Sequence, residues 1–214
     1  MKSRTIGRTL LLAALLQLAA CNTIIQQPAP SQIYTLRPLP TLESGVQPLP
    51  VNLIVSRPLV SPGLERELIA LLQPDNQLSY YAQSRWTAPT AELVRYFLID
   101  SLQNQNLFQS VTPDSRFLRN NYRLDVHVQD FQADYSGKAK SPQVQLRLAF
   151  TLTNLATRNA VASFVETLEE PVQENRLSQV VAAFQKGISR ATESAIRKIR
   201  QGVEFEARKE AKNE

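Results

Sequence analysis

The chain has 214 residues, of which 43% are hydrophobic and 20% are charged, and its formal net charge is +5. This composition is ordinary for a folded protein and leaves room for one domain, or at most two small ones. One Cys and one His exclude an intrachain disulfide, a Cys-based zinc site and a cluster of His ligands. The six Gly residues are too scattered to form a phosphate-binding loop, which excludes nucleotide sites of the Rossmann and P-loop kinds.

The N-terminus has the pattern of an export signal. Three cations, Lys2, Arg4 and Arg8, precede an apolar run over residues 10–16. This run is far shorter than the roughly 20 residues that cross a bilayer, so we interpret residues 1–20 as a cleaved signal peptide. Its removal takes three of the 24 cations and leaves 21 against 19 anions, a net charge of +2. That charge gives no support to nucleic-acid binding.

The signal ends in the residues Leu18-Ala19-Ala20-Cys21. This ending resembles the lipobox of bacterial lipoproteins, which implies cleavage before Cys21 and attachment of acyl chains such as palmitate to it. Several chains anchor a protein stably, whereas one chain holds it only marginally. In lipoproteins of this kind, Asp directly after the lipidated Cys retains the protein in the inner membrane. The residue at this position is Asn22, which implies the outer membrane. The alternative is an ordinary secretory peptide followed by a free thiol.

A Pro-rich segment follows Cys21. Residues 22–50 hold six of the 13 Pro residues, and Pro excludes a helix here because it lacks the backbone donor. We predict a lipidated tether over residues 21–32, of which about ten extended residues reach roughly 30 Å. The β-prone run at 33–36 is predicted to be the first strand or an edge strand bounded by Pro38.

The next part of the chain alternates strand and turn patterns. Strands are predicted at 51–55, 78–83 and 107–111, and an amphipathic helix at 91–104. Residues 64–73 are ambiguous, because their propensities favour a helix but the segment is short and ends at a turn signal. We favour a hairpin around residues 74–77.

Three longer strands and a long helix complete the predicted fold. Apolar and polar residues alternate over 122–128 and 144–152, and a third strand is predicted at 161–168, which together indicate an antiparallel meander with one buried face. An apolar stripe at helical spacing predicts a helix over 177–203, and we expect the polar tail 204–214 to fray or stay helical in solvent. The prediction is one α+β domain over residues 33–203, a mostly antiparallel sheet with two main helices packed on one face.

Few residues suggest catalysis. Asp125 and His127 share one side of a strand, as a base and its orienting carboxylate would, but no nucleophile motif accompanies them. Glu169 and Glu170 are adjacent on an extended chain and therefore point to opposite sides. We predict no catalytic residue, no metal ligand and no cofactor site.

The densest aromatic group is the candidate site for partner docking. It comprises Tyr80, Tyr81 and Trp86, with Arg85 beside them. Trp and Arg are the types most enriched where a few side chains dominate binding. The alternative is that the aromatic rings fill the core. We favour the core for Trp86 and the surface for Arg85.

Four stretches carry a resemblance to a known family. They read VNLIVSRP (51–58), GLERELIAL (63–71), LSYYAQSRWTAPTAEL (78–93) and NYRLDVHVQDFQAD (121–134). In these stretches the chain resembles the ABC-type transport auxiliary lipoprotein component family, which includes the lipoprotein subunit of the paraquat-inducible membrane-integrity system. The resemblance covers Ile33 to Val203.

The resemblance implies a non-enzymatic subunit without a cofactor. Such lipoproteins lie in the outer membrane, face the periplasm and work with MCE-domain proteins that move phospholipid between the two membranes. The function expected is docking of such a transport system, in support of membrane integrity, and a homo-oligomer is left open. One alternative is an envelope assembly or structural lipoprotein of another outer-membrane complex. Another is a lipid-carrying module, which would need a long apolar groove.

Overall fold

The computed structural model describes residues 31–41, 48–113, 122–137 and 139–212. Within them, nine strands and two helices follow in chain order: β1 Gln32–Tyr34, β2 Leu49–Val55, β3 Leu59–Val60, β4 Leu68–Leu72, β5 Leu78–Trp86, α1 Thr90–Asn104, β6 Phe108–Thr112, β7 Tyr122–Asp134, β8 Gln143–Asn154, β9 Ala160–Pro171 and α2 Leu177–Glu210. Residues 31–214 form one compact unit, and the described core lies entirely within it. The predicted signal peptide and Cys21 lie outside the described residues.

The longest strand, β7, organises the sheet. On one edge it pairs with β8 along its whole length, and β9 pairs with β8, both antiparallel. The predicted meander is therefore confirmed. Period-two alternation predicts it because the face of these strands that meets the helices is covered: Leu124 and Leu152 are buried, and their neighbour Ala162 is partly buried.

The second edge of β7 corrects the prediction of a mostly antiparallel sheet. Here β2, β3 and β4 lie one after another, all parallel to β7. Residues 49–72 run alongside β7 in the same direction and pair with it in three separate places. The pairing is interrupted around Pro58 and Pro62 because Pro donates no backbone hydrogen bond. Beyond them β6 pairs in parallel with β2, and β1 pairs in parallel with β5, so the sheet is mixed. The α+β class and the single domain are confirmed.

The hairpin at 74–77 is confirmed. β4 and β5 are antiparallel, and the Gln73 N–H donates to the Gln77 carbonyl at 2.9 Å. Asn76 has φ 63°, the left-handed conformation that Asn tolerates in turns. The ambiguous segment is a strand from Leu68, because β7 and β5 flank it and bury its centre.

Both helices pack on one face of the sheet, as predicted. Phe184 of α2 reaches Phe131 of β7 and Trp86 of β5, with ring centroids 4.8 and 5.3 Å away. Gly187 allows α2 to lie close to the sheet because it has no Cβ. A Cβ built at this position would come within 2.6 Å of the Leu146 side chain. The helix continues to Glu210, so the polar tail predicted from residue 204 is helical up to that residue.

Candidate docking surface

Trp86 lies in the core. Only 1% of its surface is exposed, and its ring packs 5.9 Å from Phe131 and edge-on to Phe184 at 5.3 Å. Its backbone N–H donates to the Glu67 carbonyl at 2.6 Å. The structure therefore places Trp86 in the core, which is the alternative favoured from the sequence, and a ring that is 1% exposed offers a partner almost no surface.

The other residues predicted for docking lie at or near the surface and are engaged with neighbours. The Arg85 guanidinium donates to the Glu67 carboxylate at 2.7 Å, and both side chains are about two-fifths exposed. The Tyr80 hydroxyl donates to the Gly63 carbonyl at 2.8 Å. The Tyr81 hydroxyl lies 2.9 Å from that of Tyr135, and burial raises the pKa of Tyr81. Docking through Tyr80, Tyr81 and Arg85 stays a prediction.

The residues weighed for catalysis do not converge on one site. Asp125 accepts a hydrogen bond from Arg123 at 2.9 Å. Glu169 is exposed, whereas Glu170 is 1% exposed and binds Lys186 at 2.7 Å and Arg190. Burial opposes the charge of Glu170, but the hydrogen bonds and charges of Lys186 and Arg190 prevail, and its pKa lies below the ordinary value. In the described part of the chain no three His, Cys, Asp or Glu residues form a group that could hold a metal ion.

The face of β7, β8 and β9 opposite the helices is left uncovered by the described elements. We call it the open face. Its central residues are Leu59 of β3 with His127, Ala149, Thr151, Ser163, Val165 and Thr167, and the charged residues Arg123, Asp125 and Arg147 lie on the same face around them. Its centre is small, polar and apolar rather than densely charged. A partner that covers only the row from Leu59 to Val165 would have few charges to desolvate, because Arg123, Asp125 and Arg147 lie beside that row and not in it, and the central region of protein interfaces is likewise depleted in charge.

One row of this face is apolar at both ends. Leu59 pairs with His127, His127 with Ala149, and Ala149 with Val165, so the four side chains line up across four strands over about 14 Å. Leu59 is 65% exposed and Val165 46%. Exposed apolar residues that are aligned by strand register, rather than scattered, mark a surface suited to covering by a protein. Sequence reasoning missed this row because it depends on the register of four strands.

A cleft of about 650 Å³ opens at the C-terminal end of α2. Leu49, Val51 and Val203 contribute apolar surface to it, while Tyr122 and Glu204 contribute polar groups. A mixed lining of this kind differs from the long apolar groove that a lipid-carrying module needs.

Neither helix within the described ranges has an apolar stretch long enough to span a bilayer. α2 has the length, since its 34 residues rise about 51 Å, but charged residues recur throughout it.

Comparison with known proteins defines the family. A family model described as ABC-type transport auxiliary lipoprotein component matches residues 34–195, which confirms the resemblance seen in the sequence. The crystal structure of protein XCC0632 from Xanthomonas campestris, assigned to the DUF330 family model, has a TM-score of 0.73 at 18% identity, covering 83% of this chain and 99% of that one. A second, described as an uncharacterized protein, has a TM-score of 0.64 at 18% identity and covers 79% and 99%. These structures share the fold. A search of curated proteins gave no match.

Proposed function

Because the chain belongs to the family of ABC-type transport auxiliary lipoprotein components, we propose that it docks an MCE-type intermembrane phospholipid transport system at the outer membrane. The observation that carries this proposal is the family match, which covers most of the domain. The role is one of binding rather than catalysis, and it supports membrane integrity by holding the transporter in place.

The proposal assigns the anchor to Cys21. The lipobox over residues 18–21 supports acylation of its thiol and amine, and Asn22 supports the outer membrane. The lipidated tether leaves the domain in the periplasm, within about 30 Å of the bilayer when it is extended. Metabolic labelling with a fatty acid tests the anchor, since Cys21→Ala removes the acceptor. Label retained by that variant contradicts acylation at this residue.

The proposal assigns docking to the open face, with an MCE-domain protein as the partner. The row from Leu59 to Val165 supplies aligned apolar contacts, and the surrounding Thr and Ser side chains supply hydrogen-bonding groups at its margin. Such an arrangement matches the apolar centre and polar rim of protein interfaces. Membership of a transport-auxiliary family supports a transport protein as the partner, and the exposed apolar row supports the open face as the surface that it contacts.

The test is co-purification of the MCE-domain protein with Leu59→Asp and Val165→Asp. Both side chains are exposed, so the melting temperature stays near that of the wild type while binding falls by about 30-fold, the effect of a central contact worth roughly 2 kcal/mol. The matched control is Tyr96→Asp, because Tyr96 is 53% exposed on α1, on the helix side of the sheet. Unchanged co-purification by both variants, or an equal loss with Tyr96→Asp, contradicts docking through the open face. Capture of an unrelated outer-membrane complex would instead favour the structural-lipoprotein alternative.

A further inference from the structure

The distal end of α2 presents an apolar ring on a basic face. Val203 is 3% exposed and is the last buried residue among those of the helix whose burial the structure describes, whereas Phe205 is 67% exposed. At about 100° per residue, Arg208 and Lys209 lie within about 60° of Phe205 around the helix axis, and Lys212, in the turn after the helix, lines the same surface groove as these three residues. We call these four residues the distal basic face.

The two carboxylates of this stretch whose side chains the structure describes, those of Glu204 and Glu206, bind partners outside the distal basic face. Glu204 accepts a hydrogen bond from Arg200 at 2.7 Å, one turn back. Glu206 accepts one from the Tyr122 hydroxyl at 2.9 Å, which ties it to the start of β7. Among the described residues, no carboxylate pairs with Lys209 or Lys212. The basic charge around Phe205 is therefore left uncompensated by these neighbours.

We propose that the distal basic face rests on a bilayer surface that contains anionic phospholipid. Helices that lie on membranes combine cations with an aromatic or aliphatic side chain that enters the headgroup region, and this face has both. An acidic protein surface fits less well, because Phe205 stands without the surrounding apolar residues that would seal it in a pocket on a partner. The inference concerns the membrane and does not depend on which protein docks at the open face.

Because the proposed tether already holds the domain near the bilayer, a weak contact between the distal basic face and the membrane is enough to orient the domain. Cations near an anionic leaflet each raise the partition onto it by about fivefold, so two lysines account for about 30-fold. Such a patch does not hold a free protein on a membrane by itself. It sets the orientation of a domain that an anchor already keeps close to the bilayer.

The test reproduces that tether with the compact unit 31–214, which contains the described core and no Cys. An N-terminal histidine tag holds it on vesicles through a nickel-chelating lipid. Gln201→Cys, exposed and one turn before Phe205, carries a single polarity-sensitive dye, and Thr167→Cys on the open face carries the control dye. Vesicles are phosphatidylcholine, with or without about a quarter phosphatidylglycerol.

We expect the dye at position 201 to shift its emission to the blue on phosphatidylglycerol vesicles only, with no shift at position 167. Lys209→Gln with Lys212→Gln abolishes the shift, since the contact weakens by about 30-fold. The matched control, Arg37→Gln with Lys140→Gln, removes the same charge from exposed positions elsewhere and keeps the shift. Circular dichroism confirms that each variant is folded.

No shift in the wild type, an equal shift on neutral vesicles, or an equal loss in the control pair overturns the proposal. Because the vesicles contain no transport protein, none of these results bears on docking at the open face.

Discussion

Trp86→Ala separates core packing from docking by magnitude. The ring is 1% exposed and contacts two other rings, with centroids 5.3 and 5.9 Å away. Truncation of a buried Trp to Ala lowers the free energy of unfolding by about 3–5 kcal/mol. This loss includes the transfer free energy of the ring, the cavity that it leaves and its contacts with the two other rings. For a domain of this size each kcal/mol lowers the melting temperature by about 2–4 °C, so we expect a fall of roughly 10–15 °C.

The assay is thermal unfolding of the domain followed by circular dichroism. Tyr96→Ala serves as the control, because this ring is 53% exposed and its loss leaves the transition nearly in place. Trp86→Phe, which keeps a ring against Phe131 and Phe184, gives an intermediate fall. A Trp86→Ala domain that melts within about 2 °C of the wild type would refute the reasoning, since that corresponds to less than about 1 kcal/mol.

Three further substitutions test packing, charge and the predicted surface. Gly187→Ala lowers the free energy of unfolding in denaturant by about 1–3 kcal/mol, although Ala favours helix, because its Cβ meets Leu146 at 2.6 Å; a gain in stability contradicts this packing. The lowered pKa of Glu170 means that its ionised form stabilises the fold above the unfolded pKa, near 4.3, and that this contribution is lost as the pH falls through the folded pKa. Glu170→Gln therefore flattens the fall of melting temperature with acidification, and an unchanged slope argues against it. Arg85→Glu breaks an exposed ion pair with Glu67 and changes the free energy of unfolding by about 1 kcal/mol or less. Weaker co-purification of the MCE-domain protein with this variant would support docking at Arg85. Unchanged co-purification would contradict it.

The sequence predicts those elements whose pattern is local. β7 and β8 alternate because one face of each is buried, and the hairpin after β4 is marked by Pro74, Asp75 and Asn76. Strand direction is not local. That β2, β3 and β4 lie parallel to β7 depends on pairing between residues about 60–70 positions apart in the chain, which the local pattern of these strands does not reveal.

The candidate site shows the same division. Trp is enriched both in cores and at interfaces, so its type alone does not decide between them. What places Trp86 inside is its contact with Phe131 and Phe184, which lie on other elements far along the chain. The alternation of apolar and polar residues in each strand predicts which side chains face outward. It does not predict the register between strands, which is what aligns Leu59 with Val165 on the open face.

Site-specific photo-crosslinking from position 165 in living cells tests the docking claim most directly. Val165 is replaced by a photoreactive residue in the full acylated chain, with position 96 as the control, since Val165 and Tyr96 are similarly exposed on opposite sides of the molecule. The account predicts a light-dependent adduct with an MCE-domain protein from position 165 and none from position 96. Adducts from 165 that lack any MCE-domain protein, at a normal level of the chain, would contradict it.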